Sequence, residues 1–185
     1  MFITALRTYC LAVRWCVALV GQSAAWLMPV LAFTVAFEVF CRYVLNQPTI
    51  WAHDLSLFIF GYVASLGGAY AQLHKRHIDV DILYNHVPAR VQSLFNMISY
   101  ILAVFFLLIV VKIALGKFEE AIEFNYRRQS EWAPSMHHYW VMISVAGSLL
   151  ILQFASDFIQ NAYRLFTGKT LVPAPPSFDK EEDAR

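Results

Sequence analysis

Two groups of ionisable side chains in this chain have types and spacings that could do chemistry. His74, His77, Asp79, Asp81 and His86 crowd one connection. Imidazole and carboxylate suit divalent metals, and His74 and His77 share a helical face if the preceding helix extends that far. A binding spacing is not met on both sides, however. The 77–82 stretch also alternates polar and apolar, as a short extended segment over a surface would, so no metal is expected. Glu38 and Arg42 stand four apart, the spacing at which an acid and a base meet on one helical face. They make either an ion pair that ends a helix or a docking contact for another chain. Haem would need inward-facing axial ligands at a common depth, and every histidine falls at a helix end or in a connection. No Ser/His/Asp or Cys/His grouping stands out. Cys10, Cys16 and Cys41 lack the paired spacing that disulfide exchange requires. Catalytic residues and cofactors are therefore not expected.

The elements that must position these residues are set by four apolar runs with no formal charge, at 15–37, 55–73, 91–111 and 139–156. At 1.5 Å per residue each reaches roughly 27–35 Å in a helix, close to the hydrocarbon thickness of a bilayer. In that medium every backbone N–H and C=O must be paired within its own segment, so the runs are expected to be spanning helices. Composition agrees: 59% of the 185 residues are hydrophobic and only 15% charged, well below a soluble domain. A net charge of +1 gives no reason to expect nucleic acid. The expected fold is an all-α integral membrane protein with four transmembrane helices, at about 15–40, 53–74, 89–115 and 137–163, and short amphipathic connecting segments. Residues 1–168 make one membrane domain, and the Pro- and charge-rich 169–185 is expected to be a disordered tail.

The first apolar run is too long for the core of a signal peptide, so it is expected to be an uncleaved helix. Counting basic residues with an inside N-terminus places Arg7, Arg14, Lys75, Arg76, Arg90, Arg164 and Lys169 on the cytoplasmic side. Arg42, Lys112, Lys117, Arg127 and Arg128 fall opposite, a bias toward N-in and C-in. Segment 112–131 is expected to continue as a helix into water, with Phe118, Ile122 and Tyr126 on one stripe. Part of 78–90 is expected to lie in the headgroup plane. No ionisable group lies deep in any run, which argues against a self-sufficient pump or carrier. The second helix is dense in small residues, and Gly61/Ser65 and Ala64/Gly68 have the spacing that lets two helix backbones approach closely in lipid. Gly67 adds to that set, which could serve packing within the bundle or against a partner.

The run Arg42-Tyr43-Val44-Leu45-Asn46-Gln47-Pro48-Thr49-Ile50-Trp51-Ala52-His53-Asp54 is more informative than any single residue. Followed by Gly67-Gly68-Ala69 and then His77-Ile78-Asp79-Val80-Asp81, it resembles the small, DctQ-like membrane subunit of tripartite ATP-independent periplasmic (TRAP) transporters. The later Arg128-Gln129-Ser130 with Trp132-Ala133-Pro134, and Leu149-Leu150-Ile151-Leu152-Gln153, resemble the subgroup associated with mannitol and chloroaromatic compounds. Asp54 departs from the family, which more often has Glu there.

The resemblance implies a bacterial inner-membrane protein without enzymatic activity. It would be the small permease subunit of a sodium-coupled importer of organic anions, carboxylates in this family's usual range. Its partners would be a periplasmic solute-binding protein, a large DctM-like membrane subunit and membrane lipids. In that setting Arg42, Trp51 and Asp54 would organise the outer rim, with Glu38 a further candidate for the subunit interface or docking, and His77, Asp79 and Asp81 the cytoplasmic one. Gly61, Gly67 and Gly68 would serve close helix packing. The alternative from another class is a haem- or quinone-associated membrane anchor of a redox enzyme.

Overall fold

A computed structural model describes residues 2–74, 89–167 and 171–172. Five helices account for nearly all of them: α1 (Phe2–Ala25), α2 (Leu27–Tyr43), α3 (Ala52–Leu73), α4 (Ala89–Glu123) and α5 (His137–Thr167). Four segments are long and apolar enough to cross a membrane, namely Ile3–Tyr43, Ala52–Leu73, Phe95–Glu123 and His137–Leu165. Among the described residues there is no strand, only an isolated antiparallel bridge between Arg127 and Ser135.

The first span is two helices rather than one, broken at Trp26. Pro29 explains the break. Its ring occupies the space of the carbonyl four residues back, which belongs to Ala25, the last residue of α1. In the first turn of α2 its missing N–H costs little. Together α1 and α2 run for 41 residues, well beyond a bilayer's thickness, so the beginning of α1 projects past the end of α3.

Helix α3 packs on α1, α2 and α5, and α5 packs on α1, α3 and α4. Among the described residues, α4 is joined extensively to α5 alone. The core between α1 and α3 is made by Val13, Val17, Ala69 and Leu73. Close approach is written in glycine: a Cβ on Gly21 would lie 2.5 Å from Tyr70, and one on Gly147 would lie 2.7 Å from Val111. Beyond the end of α3, Cys10 is buried with Leu171 and Val172 against Ile159 and Tyr163. Those two residues open the segment expected as a free tail, and burying their apolar surface ties them to α1 instead.

Helix α4 ends at Glu123, earlier than the stripe through Tyr126 requires. Asn125 takes a positive φ of 48° and turns the chain, so Tyr126 lies outside the helix and stacks beside Phe124, and the expected stripe does not form. The segment expected in the headgroup plane falls outside the described residues except for the start of α4. His77, Asp79, Asp81, His86 and residues 173–185 also fall outside them.

Candidate functional site

The polar residues of the bundle gather at the two ends of α3. At the first end, α2 brings Glu38 and Arg42 together as their spacing predicts. The guanidinium donates to Glu38 Oε1 from Nε at 3.1 Å and from Nη2 at 2.6 Å. The other carboxylate oxygen accepts the Thr49 backbone N–H at 3.1 Å and the Thr49 hydroxyl. Glu38 therefore ties the 44–51 connection back onto α2, while Phe37 stacks against Trp51 across the same turn with ring centroids 6.1 Å apart. Asn46, with a φ of 53°, supplies the left-handed residue that the turn needs.

Asp54 sits in the first turn of α3, where the helix dipole favours a carboxylate. It is only 2% exposed. Burying a charge this far is sustained only if it is paired and hydrogen-bonded. Both partners come from the 124–136 loop: Arg128 Nε lies 2.9 Å from Oδ1, and the Ser130 hydroxyl donates to Oδ2. The loop holds its shape through Arg128 N–H to the Pro134 carbonyl at 2.9 Å and Met136 N–H to the Tyr126 carbonyl at 3.0 Å. The Arg128 guanidinium also lies over the Phe58 ring, 5.9 Å from its centroid. Phe58 in turn meets His138 edge-on, and the Tyr62 hydroxyl hydrogen-bonds His138 Nδ1. A continuous set of contacts thus runs from Asp54 through the loop to the start of α5.

At the other end of α3 the described polar groups belong to helices. Gln72 Nε2 donates to Asp157 Oδ2 at 2.9 Å, and Gln153 Nε2 donates to Oδ1 at 3.0 Å. Gln153 and Ser156 are each 2% exposed, and Gln160 donates to the Ser156 hydroxyl at 3.2 Å. Among the described side chains, Gln153 Oε1 is a buried acceptor without a hydrogen bond. His74 caps α3 and turns its Nδ1 to the Tyr70 carbonyl at 3.0 Å, so this histidine is used locally.

The expected site residues therefore separate. Glu38, Arg42, Trp51 and Asp54 share one end of the bundle, in two neighbouring clusters. Gly61 packs inside the chain, where a Cβ would stand 2.9 Å from Tyr139. Gly67 and Gly68 face open space, with nothing within 4 Å of where a Cβ would be. Asp157 escapes a reading by sequence because the charge-free run stops one residue before it, and no local pattern ties it to Gln72. Arg128 and Ser130 lie within a recognisable motif, but nothing local joins them to Asp54. Thr49 likewise belongs to a motif that gives it no role.

A bundle of four segments long and apolar enough to span a bilayer, with carboxylates at one end clamping its connections, defines a multi-pass membrane protein. The family model for the DctQ component of tripartite ATP-independent periplasmic transporters matches residues 31–164. The chain belongs to this family, and is a component of a transporter in the inner membrane rather than an enzyme. It is similar to the C4-dicarboxylate TRAP transporter small permease protein DctQ of Vibrio cholerae serotype O1 (strain ATCC 39315 / El Tor Inaba N16961). That match is 28% identical over 75 residues, covering 40% of this chain and 32% of the relative. It is also similar to the sialic acid TRAP transporter permease protein SiaT of Haemophilus influenzae (strain 86-028NP). Here identity is 22% over 138 residues, covering 74% of this chain and 21% of the relative. The matches thus span only about a third and a fifth of those relatives' own lengths.

Proposed function

We propose that this chain is the small permease subunit of a sodium-coupled importer of an organic anion, a carboxylate by class. It acts as a scaffold beside a large membrane subunit that carries the solute, and a periplasmic binding protein delivers the solute to the pair. The observation that carries this reading is the match to the Haemophilus permease. Most of this chain corresponds to only 21% of that protein, so its counterpart there is continuous with a far longer permease chain. The polar groups agree with a scaffold. Glu38 and Asp54 are each consumed in clamping a connection, and Asp157 in joining two helices, which leaves these carboxylates occupied by their own chain.

In this reading the chain lies N-in and C-in, as the distribution of basic residues favours. The clamped end with Glu38, Arg42, Trp51 and Asp54 faces the periplasm and forms part of the surface that receives the binding protein. His77, Asp79 and Asp81 organise the cytoplasmic rim. Gly67 and Gly68, which no described helix of this chain covers, meet a helix of the large subunit, where small residues let backbones approach.

The test is affinity purification of the chain from its native membrane in mild detergent, followed by reconstitution of what is recovered. A large polytopic subunit in about equal amount, with solute uptake that needs a sodium gradient and the binding protein, is the expected result. Recovery of the chain alone, or with redox subunits and a haem spectrum, overturns the assignment. Replacing Gly68 by Leu in the complex should lower recovery of the large subunit while the chain itself still inserts.

A further inference from the structure

The joint between α3 and α5 carries more hydrogen-bonding capacity than its own side chains use. Gln72 and Gln153 both turn their amide N–H groups to Asp157, at 2.9 and 3.0 Å. That fixes which way the Gln153 amide faces, since the opposite orientation would set its oxygen against the carboxylate. Gln153 Oε1 is therefore an acceptor by necessity, and among the described residues it has no donor. The side chain is 2% exposed, so bulk solvent does not supply one. An amide oxygen left in this way is costly, and native structures nearly always provide its partner.

Ser156 holds the complementary surplus. Hydroxyls elsewhere on these helices return their proton to the carbonyl four residues back, as at Thr34, Ser144 and Ser148. The Ser156 hydroxyl is turned instead to Gln160, from whose amide it accepts at 3.2 Å, which leaves its own proton to give. It too is 2% exposed. Gln153 and Ser156 stand three residues apart on one face of α5, a spacing that puts Cβ atoms about 5–6 Å from each other. The two side chains do not bond directly, and what fits between them must accept one hydrogen and give another.

We propose that α5 binds one water molecule at this joint, which accepts the Ser156 proton and donates to Gln153 Oε1. The Asp157 carboxylate, in the same cluster, can take the water's second hydrogen, giving the count of about three partners usual for internal water. The other small occupants fail on hydrogen bonding. A metal ion or an ammonium accepts no proton from Ser156, and a carbonyl or an anion gives none to Gln153. A larger hydroxyl compound has no approach to two side chains that are each 2% exposed. The water closes the two amides, the carboxylate and the hydroxyl into one network, where each group strengthens its neighbours. This site stands independently of the subunit assignment, because it rests on contacts within α3 and α5 alone.

The experiment is water-edited solid-state NMR on the full chain, purified with whatever membrane partner accompanies it. The sample is held in vesicles of phosphatidylethanolamine and phosphatidylglycerol. Glutamine is isotope-labelled, and the Gln153 side-chain signal is the one that Gln153→Met removes. Magnetisation that starts on water should reach the Gln153 amide at short mixing times. That transfer should be lost in Ser156→Ala, while the Gln72 signal keeps its chemical shift because its bond to Asp157 is untouched. Equal transfer in the parent and in Ser156→Ala overturns the proposal, whether it is present in both or absent from both. A Gln153 carbonyl shift that moves when sodium is exchanged for choline also overturns it, since an ion would then hold the place of the water. Should Ser156→Ala fail to assemble, a density map of the parent complex fine enough to show ordered water decides. A peak within about 3 Å of both Ser156 Oγ and Gln153 Oε1 supports the site, and its absence overturns it.

Discussion

The two ends of α3 are held by different chemistry. At the Asp54 end, carboxylates on two helices each take an arginine, and each accepts a hydroxyl from a connection. At the Gln72 end, among the described residues, amides and one carboxylate join α3 directly to α5, and α1 closes on α3 through Gly21. Among the described residues, one end has loops pinned onto the bundle and the other has helices pinned onto one another. A loop pinned by buried charge can present a fixed surface to a partner, while a close helix contact only holds the bundle together.

Substitutions should separate these two modes. The largest effect is expected for Asp54→Ala, which leaves Arg128 and Ser130 facing an apolar site. It should lower stability by about 3 kcal/mol and free the 124–136 loop for proteolysis. Thermal unfolding in detergent with limited digestion reads both, and an unchanged digestion pattern would break the contrast between the ends. Next is Gly21→Ala at the other end, where a Cβ would meet Tyr70 at 2.5 Å. Overpacking there should cost about 2 kcal/mol and leave the 124–136 loop as resistant as in the parent. Gly68→Ala serves as its control, since nothing lies within 4 Å, and should leave the isolated chain's melting point unmoved.

A smaller loss, about 1 kcal/mol, is expected for Asp157→Ala, because hydrogen bonds between spanning helices contribute modestly even when buried. Hydrogen exchange should rise in α3 and α5 near that end and stay constant at Asp54. The smallest effect belongs to Glu38→Gln. Its arginine partner is half exposed and can return to water, and the neutral amide can still accept from Thr49. A drop in melting point matching that of Asp54→Ala would show that the two carboxylates do not differ as their surroundings imply.

A good part of this architecture is legible in the residues alone. The spans can be located because apolar, charge-free runs of this length have one stable outcome in a bilayer. The Glu38–Arg42 pair can be foreseen because both lie on one helix, four residues apart. The break at Trp26 is signalled by Pro29, yet hydropathy hides it by counting proline as an ordinary member of the run. Other features have no local signal. Ser130 reaches Asp54 across 76 residues and Gln72 reaches Asp157 across 85, so only packing reveals those partners.

By itself, then, the sequence determined that four segments span a membrane, because backbone groups in hydrocarbon must pair within their own helix. Through its motifs it also placed the chain in a transporter family. Tertiary structure decided which connection each buried carboxylate clamps, and which glycines are filled by neighbours and which stay open. Those outcomes rest on contacts between residues far apart in the chain. Side-chain shape and charge compensation choose such contacts only once the helices lie side by side.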